Sequence, residues 1–158
     1  VRLRIAQIRA LGFSILVCGS SGVAAINIGG RTIHSLFSLS LDLEWQIKEG
    51  TMMWCMIRNT DMLVIDEFSM LSNKLLHKLH EILHTTRTDK RNPFGGVQML
   101  LVGDPLQLPS IDEDIFDSSL FRNHLVPLVL TEGVRQTNST FIELLSCVRL
   151  GEHTEEDH

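Results

Sequence analysis

Apolar positions along this chain fall into two patterns that alternate with each other. Short continuous apolar runs, bounded by glycine or charged residues, predict strands that are buried on both faces. These runs occupy residues 13–18, 62–66 and 97–103, and a weaker run occupies residues 125–130. Pro127 in the weaker run indicates an edge strand or the start of a strand.

Apolar residues at helical spacing predict amphipathic helices between these runs. The helices are expected at residues 1–11, 74–83 and 140–150, the last closed by Gly151. The first apolar face comprises Leu3, Ile5, Ile8 and Leu11, and the second comprises Leu75, Leu76, Leu79, Ile82 and Leu83. Residues 86–96 and 112–119 are predicted to be loops. Apolar strands that alternate with helices predict an α/β domain with a mainly parallel sheet flanked by helices.

The composition fits one compact domain. The chain has 158 residues, of which 44% are hydrophobic and 21% are charged, so we interpret residues 1–158 as a single domain with a frayed polar end at 152–158. The net charge of −5 argues against nucleic-acid binding through bulk positive charge, although a local groove stays compatible with it. Cys18, Cys55 and Cys147 form no CxxC pair, which predicts reduced thiols rather than a zinc site or a disulfide framework.

Residues 10–30 are uncharged and long enough to raise the question of a membrane span. Five glycines and several serines make this stretch too polar and too interrupted for a span. The stretch is also not preceded by the basic segment, apolar segment and cleavage site that together indicate a signal peptide. We therefore expect no membrane partner.

Candidate chemistry lies at the ends of the predicted strands, where loops of a parallel sheet converge on ligands. The run at 62–66 ends in Asp66 and Glu67, which is typical of a Walker B element in which one acid holds Mg²⁺ and the next polarises water. The alternative is a pair of acids that caps the next helix. Gln107 follows the run at 97–103 and could hydrogen-bond a phosphate or a water, or be a solvated turn residue. Arg135 could bind a phosphate with two hydrogen bonds, or be an ordinary surface residue.

Five segments in order resemble the motifs of the Pif-type (petite integration frequency) DNA helicases, the RecD-like branch of superfamily 1. They are SSGVAAINIGGRTIHSLF (20–37), DEFSM (66–70), FGGVQMLLVGDPLQLPS (94–110), LTEGVRQ (130–136) and VRLGE (148–152). The resemblance implies a RecA-like P-loop NTPase motor domain of an ATP-driven helicase that moves 5′ to 3′ along single-stranded DNA. It also implies roles in DNA repair, recombination and telomere or genome maintenance.

The resemblance implies a role for each matching residue. Asp66 would bind Mg²⁺, Glu67 would be the catalytic base, Gln107 would sense the γ-phosphate of ATP, and Arg135 would stabilise its developing charge, with Asp104 also at the nucleotide. The implied DNA-contacting residues are Ser20, Ser21, Gly22, Asn27, Thr32, His34 and Ser35. Hydroxyls and backbone N–H groups can hold a DNA phosphate without net positive charge. For His34 the alternative is a buried, hydrogen-bonded core histidine.

No segment matches the phosphate-binding loop GxxxxGK[ST], which the family places just before a helix like residues 1–11. We therefore expect a fragment that begins shortly after the missing lysine, lacks the second motor domain and does not hydrolyse ATP by itself. The alternatives are a degenerate, non-catalytic nucleic-acid-binding or scaffold protein and, within the class, a mobile-element (Helitron-like) helicase. The implied partners are ATP and single-stranded, forked or structured DNA. The implied setting is a monomeric motor inside the cell, in the nucleus of a eukaryote or alternatively in the mitochondrion.

Overall fold

The computed structural model of the chain describes residues 1–131 and 138–152, which contain one parallel sheet and several helices. The strands are β1 (Ile15–Gly19), β2 (Arg31–Thr32), β3 (Met62–Asp66) and β4 (Gln98–Val102). The helices are α1 (Arg2–Ala10), α2 (Gly22–Ile28), α3 (Ile33–Phe37), α4 (Met52–Arg58), α5 (Asn73–Thr86), α6 (Ser119–His124) and α7 (Ser139–Leu150). Short 3₁₀ turns lie at Phe68–Met70, Pro93–Gly96 and Ile115–Asp117. The predicted α/β class is confirmed.

The sheet has the strand order β2-β1-β3-β4, and every pair is parallel. The run predicted at 62–66 is β3 itself, and the runs at 13–18 and 97–103 are displaced from β1 and β4 by one or two residues at their ends. β1 is buried along its whole length, as predicted. β4 is less buried than predicted, and Leu100 is exposed, because β4 is the last strand in the described order and only one side of it is paired.

Two apolar cores lie on opposite faces of the sheet, since successive side chains of a strand point to opposite sides. The larger core contains Leu16, Cys18, Leu63 and Ile65 of the strands, together with residues of α3, α4 and α5. The smaller core contains Ile15, Val17 and Val64 with Ile5 of α1 and Ile28 of α2. The helices on both faces thereby hold the strand ends in a fixed relation to each other.

The apolar face of helix α5 agrees closely with the prediction. The five predicted apolar residues, Leu75, Leu76, Leu79, Ile82 and Leu83, are all buried. Ser72 caps the helix, because its side chain accepts a hydrogen bond from the backbone N–H of Leu75. The prediction for α1 is only partly right. Ile5 is buried, but Leu3 and Leu11 are exposed, because α1 contacts the smaller core through a narrow strip.

The strand predicted at 125–130 is wrong. Those residues form no strand in the described structure, and Val126, Leu128, Val129 and Leu130 are exposed. Apolar composition alone does not make a strand, which needs a neighbour for its backbone groups, and Pro127 lacks the N–H that would pair.

The chain divides into two compact units, Val1–Leu125 and Val126–His158. The sheet belongs to the first unit. The described part of the second unit contains α7, capped by the Asn138 side chain at its start and closed by Gly151 in the left-handed conformation, as predicted. The interpretation of residues 1–158 as one domain stays a prediction, and residues 153–158 of the predicted frayed end lie outside the described residues.

Residues 10–30, whose lack of charge raised the question of a membrane span, divide between β1 and α2. Within residues 1–131 and 138–152, no helix has the length and apolar character needed to cross a membrane.

Candidate nucleotide and DNA site

The carboxyl ends of all four strands lie in one row. The register pairs Gly19 of β1 with Thr32 of β2 on one side and with Asp66 of β3 on the other. Asp66 in turn pairs with Val102 of β4. The segments that follow these residues therefore leave the sheet at the same edge, where ligands of parallel sheets bind. Most of the predicted site residues belong to these segments.

Glu67 follows β3 in a conformation that non-glycine residues rarely adopt. Its φ and ψ angles are 56° and 50°, in the left-handed region, which costs about 1–2 kcal/mol for a residue with a Cβ. Its carboxyl group is not a helix cap, because no side-chain cap bond is formed at the 3₁₀ turn Phe68–Met70. Strained backbone held by its surroundings is typical of functional sites. The structure therefore gives no support to the capping alternative for Glu67.

The loop of Glu67 is held from the tips of both neighbouring strands. From the β1 side, Ser20 Oγ donates a hydrogen bond of 2.6 Å to the backbone oxygen of Glu67. From the β4 side, Gly103 packs so closely that a Cβ there would lie 2.9 Å from the Phe68 nitrogen. The Phe68 ring packs against Phe116 and Phe121, with ring centroids 6.0 and 6.1 Å away. These contacts leave the Glu67 backbone little freedom.

A cavity of about 180 Å³ lies at this edge of the sheet. It brings together Glu67, Gln107, Ser21 and Asn27, which were all predicted site residues. The rest of its lining is mainly apolar, and comprises Val23, Ala24, Ser69, Met70 and Leu108. Residues predicted for ATP and residues predicted for DNA thus share one cavity.

Asp104 and Gln107 belong to one turn after β4. The backbone N–H of Gln107 donates to the backbone oxygen of Asp104, and the Asp104 carboxylate accepts a hydrogen bond of 3.1 Å from the backbone N–H of Leu106. Gln107 is exposed, while Asp104 is half-buried. The Gln107 side chain therefore points to the cavity and solvent from a turn that its own backbone stabilises.

Ser21 and Gly22 begin α2, which packs tightly on the tip of β1. A Cβ at Gly19 would lie 2.4 Å from the backbone nitrogen of Ala25, so only glycine permits this approach. Ser21 Oγ accepts a hydrogen bond from the backbone N–H of Ala24, while a Cβ at Gly22 would meet no atom within 4 Å. The space outside Gly22 is therefore open to a ligand.

Thr32, His34 and Ser35 lie at the start of α3, beside the tip of β1. Thr32 caps this helix by accepting a hydrogen bond from the backbone N–H of Ser35. Ser35 is exposed, and His34 is half-buried, whereas Ile33, Leu36 and Phe37 of the same helix are buried. His34 is therefore not the fully buried core histidine of the alternative interpretation. Arg135, the remaining predicted site residue, lies outside the described residues.

The donor set at the end of β3 fits Mg²⁺. This ion takes oxygen ligands and is usually bound through one or two carboxylates together with substrate phosphates and water. Asp66 and Glu67 provide two half-buried carboxylates at the strand tip. No group of three or more His, Cys, Asp or Glu residues suitable for a metal occurs within the described part of the chain, and a phosphate-bound Mg²⁺ does not need one.

The profile of the PIF1-like helicase family matches residues 2–158. The chain belongs to this family. Among curated relatives, the ATP-dependent DNA helicase RRM3 of Saccharomyces cerevisiae is 33% identical over 156 residues, which cover 89% of this chain and 21% of RRM3. The ATP-dependent DNA helicase PIF1 of Homo sapiens is 35% identical over 155 residues, which cover 87% of this chain and 23% of that protein. This chain thus spans about a fifth of the length of these curated relatives.

Solved structures of PIF1-like helicases share the fold. The Pif1 helicase from Candida albicans superimposes with a TM-score of 0.89 at 32% identity, covering 99% of this chain and 38% of that one. A Pif1 helicase from Bacteroides in complex with ADP-AlF3 and single-stranded DNA superimposes with a TM-score of 0.78 at 28% identity, covering 91% of this chain and 38% of that one. The predicted resemblance and the RecA-like fold class are confirmed.

Sequence reasoning missed the residues that shape the site without carrying its chemistry. Gly19 and Gly103 permit close backbone approach, and Phe68 anchors the Glu67 loop between two other aromatic rings. Glycine directly at the end of an apolar run is a signal that could have identified the first two. Nothing in the sequence pattern indicates that Phe68 would meet Phe116 and Phe121, because those partners come from a 3₁₀ turn and a short helix far along the chain.

Proposed function

We propose that this chain forms the ATP-hydrolysing side of the first motor domain of a DNA helicase. The helicase would couple ATP hydrolysis to 5′ to 3′ movement along single-stranded DNA and to duplex unwinding. The observation that supports this most directly is the shared cavity in which Glu67 and Gln107 meet Ser21 and Asn27. A single site of this kind lets DNA contacts influence nucleotide chemistry over a short distance.

On the ATP side, Glu67 acts as the general base. Its carboxylate accepts a proton from the water that attacks the γ-phosphate, and the fixed backbone of the loop keeps that oxygen in place. Gln107 hydrogen-bonds the γ-phosphate or the attacking water without adding charge, and Asp104 supports the turn that carries Gln107. Asp66 would hold Mg²⁺, which neutralises charge on the phosphates. Arg135 stabilises the charge that develops on the transferred phosphoryl group.

On the DNA side, hydroxyl groups bind phosphate. The oxygen of Ser21 and the oxygen of Thr32 each accept a backbone hydrogen bond, which leaves the hydroxyl hydrogen of each available to donate to a phosphate. Gly22, Asn27, His34 and Ser35 complete the contact surface along the DNA strand. Binding through neutral donors agrees with the net charge of −5, because it needs no basic patch.

The relatives also support a proposal for the wider setting. We propose forked or structured DNA as the substrate, since one related structure describes DNA unwinding at forked duplex by two coordinating Pif1 helicases. A single copy of the protein acts as the motor, and sedimentation of the protein on forked DNA tests this against a pair. We further propose that the protein acts on genomic DNA inside the cell, in the nucleus or the mitochondrion, with roles in repair, recombination and telomere maintenance.

The substitution Glu67→Gln tests the ATP side in the full-length protein. The variant should bind ATP and Mg²⁺ with wild-type affinity but hydrolyse ATP at least about 100-fold more slowly, because the amide keeps the shape and lacks the basic oxygen. Binding is measured with a fluorescent ATP analogue, and turnover is measured as phosphate release on single-stranded DNA. Glu81→Gln, which changes an exposed glutamate on α5, is the matched control and should leave turnover unchanged.

Near-normal turnover of Glu67→Gln would refute the role of this residue. A wild-type protein that binds single-stranded DNA but neither binds nor hydrolyses ATP would support the non-catalytic alternative instead.

A further inference from the structure

Ser20 uses both of its hydrogen-bond donors on the loop that carries the two acids. Its backbone N–H donates to the backbone oxygen of Asp66 at 3.1 Å. Its hydroxyl donates to the backbone oxygen of Glu67 at 2.6 Å, which is a short hydrogen bond between two neutral groups. One residue at the tip of β1 therefore holds the backbone of both Asp66 and Glu67 at the tip of β3.

A DNA phosphate offers only acceptor oxygens, so a serine hydroxyl can bind it only by donating its single hydrogen. In this structure the hydrogen of Ser20 is already donated to Glu67. Ser21 differs, because its oxygen accepts from the backbone N–H of Ala24 and its hydrogen has no acceptor among residues 1–131 and 138–152. The two adjacent serines, both expected to contact DNA, are thus placed for different tasks.

The Ser20 hydroxyl contacts Glu67, whose backbone conformation is strained. Glu67 has a left-handed backbone, with a positive φ that is unfavourable for a residue with a Cβ. Its carbonyl group accepts the Ser20 hydrogen bond next to the Cα that carries the side chain, so losing this bond removes one restraint on the backbone that positions the carboxylate. Gly103 blocks movement of the loop on the opposite side, where it packs against Phe68.

We propose that Ser20 is a positioning residue for ATP hydrolysis. Its hydroxyl keeps Glu67 in the conformation that directs the carboxylate at the attacking water. The peptide bond between Ser20 and Ser21 connects this hydrogen bond to the DNA contact. The proposal rests on the proposed function, because it assigns Glu67 as the base and Ser21 as a DNA ligand. Movement of Ser21 on bound DNA is transmitted to the Glu67 backbone through one residue.

The test compares Ser20→Ala with Ser20→Thr in the full-length protein. Ser20→Ala should lower kcat for DNA-stimulated ATP hydrolysis by about tenfold, the effect of losing one net hydrogen bond in the transition state. Its KM for ATP and its Kd for single-stranded DNA should stay within about twofold of wild type, a factor well below the tenfold effect. Ser20→Thr keeps the hydroxyl and should retain wild-type kcat. Ser146→Ala removes an exposed hydroxyl-to-carbonyl bond within α7 and serves as the control for the change of residue type, with unchanged kcat.

Two further variants complete the design. Ser21→Ala should weaken single-stranded DNA affinity, measured by fluorescence anisotropy, which Ser20→Ala should not. Ser20→Cys keeps the branching of the side chain with a larger atom and a weaker donor, and it replaces Ser20→Ala if thermal unfolding shows that the alanine variant does not fold.

The proposal is overturned if Ser20→Ala weakens DNA affinity as much as Ser21→Ala while kcat at saturating DNA is unchanged, which would make Ser20 a DNA contact. It is also overturned if folded Ser20→Ala hydrolyses ATP normally, or if Ser20→Thr loses as much kcat as Ser20→Ala. Glu67→Gln, measured alongside, separates these results from a failure of the proposed function. If that variant also hydrolyses ATP normally, the assignment of the base itself is wrong.

Discussion

Arg87 joins three parts of the first unit that are distant in sequence, so its removal should be costly. It follows the last turn of α5, and its Nε donates to the backbone oxygen of Gly95 at 2.7 Å. Its Nη1 donates to the backbone oxygens of Thr60 at 2.6 Å and Arg58 at 2.7 Å. One guanidinium therefore ties the end of α5 to the turn before β4 and to the connection between α4 and β3.

The magnitude follows from the burial of these bonds. A hydrogen bond from a charged donor contributes about 1.5–3 kcal/mol when it is shielded from water, and much less when it is exposed. The bonds to Gly95 and Thr60 are partly buried, whereas the bond to Arg58 is exposed. Two shielded bonds at the lower end of this range give about 3 kcal/mol. We therefore expect Arg87→Ala to lower the free energy of unfolding by about 3 kcal/mol.

Urea unfolding of the chain, followed by far-ultraviolet circular dichroism, measures this loss. Arg87→Lys keeps the charge but lacks the planar arrangement of donors, so it should recover no more than about 1 kcal/mol. Arg91→Ala removes the same charge from an exposed position of the following loop and should change the free energy of unfolding by no more than about 0.5 kcal/mol. If Arg87→Ala and Arg91→Ala agree within about 0.5 kcal/mol, the anchoring role of Arg87 is refuted.

Two further predictions concern titratable groups. Partial burial, followed by the positive charges of His84, His77 and His124, holds the pKa of His80 below its usual value, and neutral His80 accepts a hydrogen bond from the backbone N–H of Phe94. The unfolded chain therefore binds a proton at this histidine more readily than the folded chain does. The contribution of neutral His80 to the free energy of unfolding should be fully present above about pH 6.5 and should be lost as the pH falls below that value. His80→Gln should show a smaller shift of the urea midpoint between pH 7 and pH 5, and an equal shift would contradict this. Burial raises the pKa of Cys18 to about 12, so iodoacetamide at pH 8 should modify exposed Cys55 and spare Cys18 until urea is added, as mass spectrometry can show.

The central strands and α5 could be predicted from sequence because local pattern and tertiary environment agree there. The run at 62–66 follows Asp61 and ends in Asp66, and it lies between two other strands, so all its central residues are buried. The stripe of α5 is buried residue for residue against the larger core. In both cases one periodic signal covers the whole element.

The sequence analysis did not predict β2, α3, α4 or α6, and the reason is their length. β2 has two residues, α3 has five, α6 has six and α4 has seven, so none spans enough positions to show a period of its own. Their boundaries come from caps and neighbours instead. Thr51 accepts a hydrogen bond from the backbone N–H of Trp54 at the start of α4, and Thr32 lies beside Gly19 before it caps α3. The wrong strand at 125–130 is the opposite error, a local pattern without a paired neighbour.

Sequence patterns were also insufficient within the site, where the direction of a single hydrogen atom matters. Motif order identified Glu67, Gln107 and Ser21 as candidate site residues, and the structure brings all three to one cavity. Residue type could not separate Ser20 from Ser21, since both are small hydroxyl residues in one motif. The difference lies in where each hydroxyl hydrogen points, and that direction depends on Glu67, 47 residues further along the chain. If Ser21 binds DNA and Ser20 positions the catalytic base, as we propose, two neighbours of identical type have different roles, and the partner of one hydrogen atom distinguishes them.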